Sequence, residues 1–565
     1  MNDTAEMTGG EALAAQLLRE GVTDVFGVPG VQLDWATDAL RRVADRLRFI
    51  VPRHEQAASY MADGYARTTG RLGTCMVVPG PGLLNAMSGL ATAYACNSPV
   101  LAIVGDIPSH THRRGFGMLH EVRNQSAILG SVCKWHARAT RPEEVPELLR
   151  EAVRQATGGR PQPVGLEIPP DVLAARAKVR LLDPPGDEPR RLLADAGQAQ
   201  AAALLLAKAR FPVIYVGGGV LAAGAGAALR ALAERLQAPV VMGENGRGAL
   251  PDSHPLALTS LGGRGAFAHA DAVLIVGSRF VDGVTGGPAW PMEGIDWIWV
   301  NADEAAWAPP RRADAPVLAD CRLGLEAILA ALPAGEASSR GEEVAKLKAW
   351  AAAQQATLAP QMGWIGALRD ALPPDGILVG ELTQVGYAAR FAYPVEQPKS
   401  FIGPGYQGTL GYGLPTALGA AAGNPGRPVV VISGDGGIGW ALQELATARK
   451  YSLPVVLVVF DDGRFGNVAL LQDRQFGSSY GTDLYNPDWA LLARAFGVGH
   501  VRAEGFNALR DTLRRHVASP EGPLLVEVPV GAMPSPWPLM RLNPPPFGAG
   551  PPAPPNPLGP GATRA

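Results

Sequence analysis

Short runs of β-branched residues, each followed by a segment of helical character, recur along three stretches of this chain. Runs such as 429–432 (VVVI) and 455–460 (VVLVVF) lack polar alternation, as expected of strands covered on both faces. Strands that alternate with helices form parallel sheets. The sequence therefore predicts an α/β fold of three doubly wound parallel-sheet domains, at residues 8–175, 197–332 and 360–535.

The segments between and after these stretches have a different composition. Residues 176–196 are rich in proline and charge and are expected to form a linker. Residues 543–565 are a Pro/Gly-rich tail, which we expect to be disordered because such a sequence cannot bury a core.

Composition excludes several classes of protein. Lys and Arg total 50 and Asp and Glu total 52, so the net charge of -2 argues against a nucleic-acid partner or a polybasic membrane surface. The four cysteines form no C-x-x-C pair, and no apolar run approaches the roughly 20 residues that span a bilayer. The N-terminus does not read as a signal peptide. We expect a cytoplasmic globular protein that does not enter a membrane.

A glycine-flanked carboxylate follows one of the buried strands. Gly434, Asp435, Gly436 and Gly437 form a turn that enters a helix, where backbone N–H groups suit an anion. The turn lacks the Lys and Ser/Thr of a Walker loop, so a carboxylate beside a phosphate would need a divalent cation between them. From the residues alone, a simple tight turn stays an equally good interpretation.

A second carboxylate is expected at the same sheet edge. Asp462 lies 27 residues after Asp435, which is enough for one helix and one returning strand. The two carboxylates can therefore converge, although Asp461–Asp462 could equally form a solvated loop.

The segment 434–463 (GDGGIGWALQELATARKYSLPVVLVVFDDG) resembles the thiamine diphosphate motif, and the likeness extends over about 8–535. It resembles the acetolactate synthase-like branch, which includes 2-oxo acid decarboxylases and benzaldehyde lyase. The resemblance implies pyrimidine-binding, central and diphosphate-binding domains, in that order. It also implies a homodimer or homotetramer, because the cofactor lies across a subunit interface in these families.

The resemblance implies metal ligands and diphosphate contacts. Asp435, Asp462 and the backbone carbonyl of Arg464 would hold Mg²⁺. Many relatives have Asn-Asn where this chain has Asp461–Asp462, and the added charge leaves the strength of the magnesium requirement open. The remaining implied contacts of the diphosphate end are Thr383, Gln384, Gly434, Gly436 and Gly437.

For the pyrimidine end of the cofactor, the resemblance implies a residue that transfers a proton. By resemblance, Glu55 exchanges a proton with the aminopyrimidine; the alternative is an ordinary Glu favoured by a helix N-terminus. The carbonyl of Gly408 would accept from the aminopyrimidine, and Leu410 would bend the cofactor beneath it. Leu410 could instead be plain core.

Residues near the substrate are less defined. Gly82 or Asn85 is implied beside the reacting centre, and Gln32 is a weak candidate for the pocket. His120 could move protons at neutral pH, although it could also be a loop histidine without a task. Leu471 stands where the synthases have a Trp that selects the second oxo acid, which argues against a true acetolactate synthase.

Flavin is a separate question, because the synthases bind FAD in the central domain. Segment 278–287 (SRFVDGVTGG) resembles part of that region, and 216–226 (VGGGVLAAGAG) has the glycines of a dinucleotide turn. A convincing acidic residue at the end of the next strand is missing, so FAD is an open alternative that we do not expect.

These observations predict a thiamine diphosphate- and magnesium-dependent enzyme that cleaves or forms C–C bonds of 2-oxo acids or aldehydes, as a decarboxylase or carboligase. The alternatives are acetolactate synthase proper and a non-catalytic homologue that binds the cofactor.

Overall fold

The computed structural model describes residues 4–184, 191–283, 285–335, 337–543 and 554–561. Three six-stranded sheets, parallel throughout, dominate these residues. A small antiparallel pair, β1 with β8, accompanies the first sheet. The predicted fold class is confirmed.

The first domain contains eight strands and seven helices. Its strands are β1 (Thr4–Thr8), β2 (Asp24–Gly27), β3 (Arg48–Ile50), β4 (Gly73–Val77), β5 (Val100–Gly105), β6 (Trp135–Arg138), β7 (Val164–Ile168) and β8 (Arg176–Arg180). Its helices are α1 (Gly9–Arg19), α2 (Asp34–Arg42), α3 (Glu55–Thr69), α4 (Pro81–Cys96), α5 (Gln125–Gly130), α6 (Val145–Thr157) and α7 (Pro170–Ala174).

Among its described residues, the central domain contains six strands and five α-helices. Its strands are β9 (Pro212–Val216), β10 (Val240–Met242), β11 (Ala257–Thr259), β12 (Ala272–Val276), β13 (Asp296–Asn301) and β14 (Ala315–Leu318). Its helices are α8 (Ala196–Lys208), α9 (Gly218–Ala222), α10 (Gly226–Leu236), α11 (Ser260–Phe267) and α12 (Cys321–Ala331).

Two helices, α13 and α14, precede the first strand of the third domain. Its strands are β15 (Ile377–Gly380), β16 (Phe401–Ile402), β17 (Val429–Gly434), β18 (Val455–Asp461), β19 (Gly499–Arg502) and β20 (Leu524–Pro529). The helices are α13 (Gly341–Gln355), α14 (Ala359–Ala371), α15 (Gln384–Ala392), α16 (Gly413–Gly423), α17 (Asp435–Ile438), α18 (Glu444–Lys450), α19 (Gly466–Phe476), α20 (Trp489–Ala495), α21 (Phe506–Ala518) and α22 (Trp537–Met540).

The first and third sheets share one topology. Their strand orders are β3-β2-β4-β5-β7-β6 and β16-β15-β17-β18-β20-β19, the same permutation of six consecutive strands. The central sheet, β11-β10-β9-β12-β13-β14, has the order of a dinucleotide-binding fold. Each sheet has a point where the strand order reverses, and ligands bind beyond the carboxyl ends of strands at such points.

Two expectations about connecting segments need correction. Part of the predicted linker, Arg176–Arg180, forms β8 because its backbone pairs with β1; residues 185–190 lie outside the described residues. Part of the tail also has partners. Trp350 Nε1 donates to the carbonyl of Pro554 at 2.9 Å, and Asn556 Nδ2 donates to that of Gly265 at 3.1 Å. Residues 544–553 and 562–565 of the tail lie outside the described residues.

In the part of the chain that the structure describes, every helix is too short or too polar to cross a membrane.

The first and third domains share one hydrophobic core, in which α3 packs against α16. Glycines permit this close approach. A methyl group at Gly64 would run into the carbonyl of Thr416, and one at Gly419 would run into the carbonyl of Met61. The crossing therefore fixes how the two domains sit against each other.

We expect Gly419→Ala to lower the free energy of unfolding by about 1–3 kcal/mol, because overpacking forces backbone apart at this crossing. Urea unfolding measures the change. The matched control is Gly366→Ala on α14, where a methyl group meets nothing within 4 Å; helix propensity there predicts a gain of up to about 1 kcal/mol. Equal effects of the two substitutions would contradict the account of the crossing.

Candidate active site

Two carboxylates meet at the carboxyl edge of the third sheet. Asp435 follows β17 as the first residue of α17 and is 5% exposed. Asp462 follows β18, the neighbouring strand. Burial and then the negative charge of Asp435 raise the pKa of Asp462 to about 6. Burial also raises the pKa of Asp435. The structure thus brings the two predicted residues together in a site that disfavours their charges.

The carboxylate of Asp461 is held by several hydrogen bonds. Its carboxylate accepts from Asn486 Nδ2 at 2.7 Å, from Trp489 Nε1 at 2.6 Å and from the N–H of Gly463 at 3.2 Å. Asn486 Nδ2 also donates to Asp435 at 2.7 Å. Asn486 therefore orients Asp435, a predicted metal ligand, and also holds Asp461, the neighbour of the second predicted ligand, Asp462.

Arg464 lies directly beyond Asp462. Its N–H is hydrogen bonded to the Asp462 carboxylate, which opposes the rise in that pKa. Its guanidinium donates to Ser479 Oγ at 3.2 Å, and its carbonyl accepts from the N–H of Gly466 at 2.9 Å. The N–H of Arg464 thus faces the carboxylate of Asp462, while its carbonyl faces Gly466.

The end of β15 adds two polar side chains. Thr383 caps α15 and accepts from the N–H of Gly386 at 2.8 Å. A methyl group at Gly434 would lie 3.5 Å from Thr383 Cγ2, so the ends of β15 and β17 are adjacent. Oε1 of Gln384 is buried and has no hydrogen-bond partner among the described residues.

The loop before α16 approaches the same region. Gly408 has φ of +56°, and Leu410 is half-buried. Gly411 also has a positive φ, and a methyl group there would run into Trp440. Thr409 Oγ1 lies 3.0 Å from the hydroxyl of Tyr60 on α3. The loop is thus held on one side by the third domain and on the other by the first.

A second group of predicted residues lies at the carboxyl edge of the first sheet. Glu55 is the first residue of α3, and its carboxylate accepts from Asn85 Nδ2 at 3.0 Å. Asn85 and the buried Gly82 belong to the start of α4. A methyl group at Gly82 would lie 2.6 Å from a methyl of Val78, so only glycine fits there without movement.

His120 joins this first-domain group with φ of +69°. Its Nδ1 lies 3.1 Å from Gln32 Oε1, and Gln32 Nε2 donates to the carbonyl of Leu119 at 3.1 Å. A methyl group at Gly80 would run into the carbonyl of His120, so the loop rests on the turn before α4. Gln125 fixes that turn by accepting from the N–H of Gly80 at 3.0 Å.

Within one chain the two groups approach each other at the loop before α16, where Tyr60 meets Thr409 and a methyl group at Gly411 would lie 3.4 Å from Gln56 Nε2. Among the described residues, no hydrogen bond or ion pair joins Glu55 to Asp435, Asp462 or Leu410. Each group opens from the carboxyl edge of its own sheet.

A cavity of about 660 Å³ lies between the first and central domains. Its lining includes Gly218 and Gly219 after β9, Arg279 after β12, Asp303 after β13, and Arg160 of the first domain. Segment 278–287 contributes Ser278 and Arg279, while Val284 within it lies outside the described residues. None of the candidate residues around Glu55 or Asp435 lines this cavity.

Comparison with known protein families accounts for all three domains. Residues 7–128 match the N-terminal TPP binding domain of thiamine pyrophosphate enzymes, residues 199–328 match the central domain, and residues 380–528 match the C-terminal TPP binding domain. The chain belongs to the thiamine pyrophosphate enzyme family.

Similar proteins support the same branch of this family. A probable 2-ketoarginine decarboxylase of Pseudomonas aeruginosa is 36% identical over 91% of this chain and 92% of its own length. A probable acetolactate synthase large subunit of Methanocaldococcus jannaschii is 34% identical over 95% of each chain. Acetolactate synthase isozyme 3 large subunit of Escherichia coli is 32% identical over 87% of this chain and 89% of its own.

The predicted family is confirmed: this protein is a thiamine pyrophosphate enzyme of the acetolactate synthase-like branch. The predicted class, a decarboxylase or carboligase that depends on thiamine diphosphate, is also confirmed.

The residues of the third-domain edge fit the cofactor of this family. Facing carboxylates with raised pKa values are relieved by a cation, and Mg²⁺ prefers such oxygen ligands together with phosphate oxygens. Oε1 of Gln384 is buried and lacks a hydrogen-bond partner among the described residues, so it can accept from a donor. Clusters of three or more His, Cys, Asp or Glu side chains suited to a metal do not occur in the described ranges. A metal at this edge would therefore need backbone and cofactor oxygens as well.

Sequence reasoning missed Glu381, which follows β15 and is 2% exposed. Its Oε1 accepts from the N–H of Gly411 at 2.6 Å, and Ser433 Oγ donates to Oε2 at 2.5 Å. Burial raises the pKa of Glu381 to about 7. Its position directly after a buried strand, at the edge that holds Asp435, was a signal that could have identified it. Asn486 was also missed, and its spacing gave no such signal.

The raised pKa of Glu381 predicts a pH-dependent stability of the cofactor-free protein. Between the ordinary value of 4.5 and about 7, the folded state holds a proton that the unfolded state releases. The free energy of unfolding contributed by this group therefore falls as pH rises through that window. Urea unfolding at several pH values should show a smaller fall for Glu381→Gln than for the unaltered protein. Parallel profiles would contradict the assignment.

Proposed function

We propose that this enzyme uses thiamine diphosphate and Mg²⁺ to break or form a C–C bond beside a carbonyl, with 2-oxo acids as donors. The observation that carries the proposal is the convergence of Asp435 and Asp462 beside the glycine turn of β17. Thiamine diphosphate supplies an electron sink for the negative charge that develops when the donor loses carbon dioxide.

In this proposal the third domain binds the cofactor. Asp435, Asp462 and the carbonyl of Arg464 hold Mg²⁺. The diphosphate contacts come from the turn with Gly434, Gly436 and Gly437 and from the start of α15, with Thr383 and Gln384. The carbonyl of Gly408 would accept a hydrogen bond from the amino group of the pyrimidine, and Leu410 would contact the cofactor.

The first domain supplies the proton-transfer groups. Glu55 holds a proton for the pyrimidine ring, and Asn85 orients the Glu55 carboxylate through the bond described above. His120, oriented by Gln32, gives or takes a proton at the substrate. Gly82, at the start of α4, would lie beside the reacting centre.

We propose a homodimer or homotetramer, as the resemblance to the acetolactate synthase-like branch implies. Glu55 of one subunit would then face Asp435 and Leu410 of its partner. Large apolar side chains around both groups are exposed in the single chain, as expected of surfaces that a second copy covers. They are Val31, Leu84, Phe116, Leu119, Trp440, Leu471 and Phe476.

We also propose a cytoplasmic location.

The names of the relatives and two residues of this chain bear on which substrate the enzyme uses. The Pseudomonas relative is named for 2-ketoarginine and the other two for acetolactate. Leu471 and His120 stand at positions where true synthases have Trp and Gln, which favours simple decarboxylation or another acceptor over acetolactate synthesis. The proposed reaction does not require flavin, and FAD in the central domain stays an alternative that we do not expect.

A screen of 2-oxo acids tests the reaction. The protein is supplied with Mg²⁺ and thiamine diphosphate, and both carbon dioxide and coupled products are measured for pyruvate, 2-ketoarginine and aromatic 2-oxo acids. We expect carbon dioxide from at least one donor. Acetolactate as the main product from pyruvate would favour the synthase alternative, and no release or coupling from any donor would contradict the proposal.

The proton relay is tested by Glu55→Gln. We expect turnover to fall roughly 10²- to 10⁴-fold, the usual contribution of a positioned acid or base, while the cofactor still binds. Glu143→Gln, an exposed change in the same domain, is the control and should leave turnover unchanged. Full activity of Glu55→Gln would exclude the relay. Absence of turnover in the unaltered protein, despite cofactor binding, would favour the non-catalytic alternative.

A further inference from the structure

Glu381 joins the two turns that the proposed function assigns to opposite ends of the cofactor. One oxygen of its carboxyl group accepts from the N–H of Gly411, in the loop that contains Gly408 and Leu410. The other accepts from Ser433 Oγ, at the end of β17 beside Gly434. A single buried side chain therefore spans the space between these two turns.

The glycines around this carboxyl group show how tightly it is enclosed. A methyl group at Gly413 would lie 2.6 Å from Oε2 of Glu381, and one at Gly437 would lie 2.8 Å from Oε1. The backbone of both turns thus approaches the carboxyl group to contact distance. A shift of either turn would break a hydrogen bond or create a collision.

The backbone of Glu381 is also fixed. Its N–H donates to the carbonyl of Ile432 at 3.0 Å, which extends the pairing of β15 with β17. Its own carbonyl accepts from the N–H of Thr383 at 2.9 Å. A methyl group at Gly386 would run into that carbonyl, so α15 packs directly against it. The side chain therefore projects from a rigid strand end.

We propose that Glu381 is a positioning residue that sets the distance between the loop of Gly408 and Leu410 and the turn of Asp435. It acts through hydrogen bonds to Gly411 and Ser433, and it contacts neither metal ligand directly. The inference rests on the proposed function, because the two turns matter together only if one cofactor bridges them.

The test compares two side chains of similar size at this position. Glu381→Gln can accept from Gly411 with its oxygen and donate to Ser433 with its amide, so it reproduces both links. Glu381→Met fills the space but forms neither, and it leaves buried donors without partners. We expect Met to weaken thiamine diphosphate binding in the presence of Mg²⁺ by roughly 10- to 100-fold. Gln should stay within about 3-fold, since its links are preserved.

A second readout reports the position of the loop. Hydrogen–deuterium exchange at C2 of the bound thiazolium, measured at saturating cofactor, depends on how closely the pyrimidine amino group approaches C2. We expect slower exchange in Glu381→Met and near-normal exchange in Glu381→Gln. A general loss of stability would not divide the two variants in this way.

Two further variants keep the test decisive. Ser433→Ala removes one link, with an expected loss in cofactor affinity of roughly 2- to 10-fold, and replaces the Met variant if that one does not fold. Glu527→Met is the control: Glu527 is a buried carboxylate of the same sheet, paired with His500 and Arg502. It should lower stability without changing cofactor affinity.

The outcomes separate this inference from the proposed function. If the unaltered protein does not bind thiamine diphosphate, the proposed function fails and the inference fails with it. If it binds, and Glu381→Met matches it in affinity and exchange, only the inference is wrong. Equal impairment of Gln and Met would also overturn it, because hydrogen-bond geometry would then not be what positions the loop.

Discussion

The burial of two neighbouring carboxylates, Asp435 and Asp462, at one sheet edge is the constraint on which the proposed site of the third domain depends. Parallel strands deliver both carboxylates to one edge, where burial and proximity raise their pKa values. Such a pair is unfavourable without a cation between the two groups. The surrounding contacts keep it in place, because Asn486 ties Asp435 to Asp461 and the N–H of Arg464 bonds Asp462. A divalent cation at this edge would offset the negative charge of the two carboxylates and of a bound diphosphate.

The rest of the chain extends this edge toward the first domain. Glycines on α3 and α16 let the two helices cross at backbone contact, and Tyr60 on α3 bonds Thr409 in the loop beside Leu410. The central domain has its own strand order, and the cavity of about 660 Å³ lies between it and the first domain. The proposed chemistry involves residues of the first and third domains.

Sequence reasoning predicted the fold well because buried parallel strands have an unmistakable composition. The spacing of Asp435 and Asp462 was informative for a related reason: consecutive strands of one sheet must end at one edge. Glu381 escaped notice because its importance depends on the loop at Gly411, which lies 30 residues away and approaches only after folding. Asn486 follows no strand, and residues 554–561 of the tail acquire partners on Trp350 and Gly265 that composition does not reveal. Local sequence patterns do not reveal contacts between residues that lie far apart in the chain.

Calorimetric titration of the purified protein with thiamine diphosphate, with and without Mg²⁺, tests the central claim most directly. The account predicts saturable binding that requires the metal and that is lost when Asp435 and Asp462 are both replaced by Ala in a correctly folded protein. Binding of equal strength without any divalent cation, or in the doubly substituted protein, would contradict it.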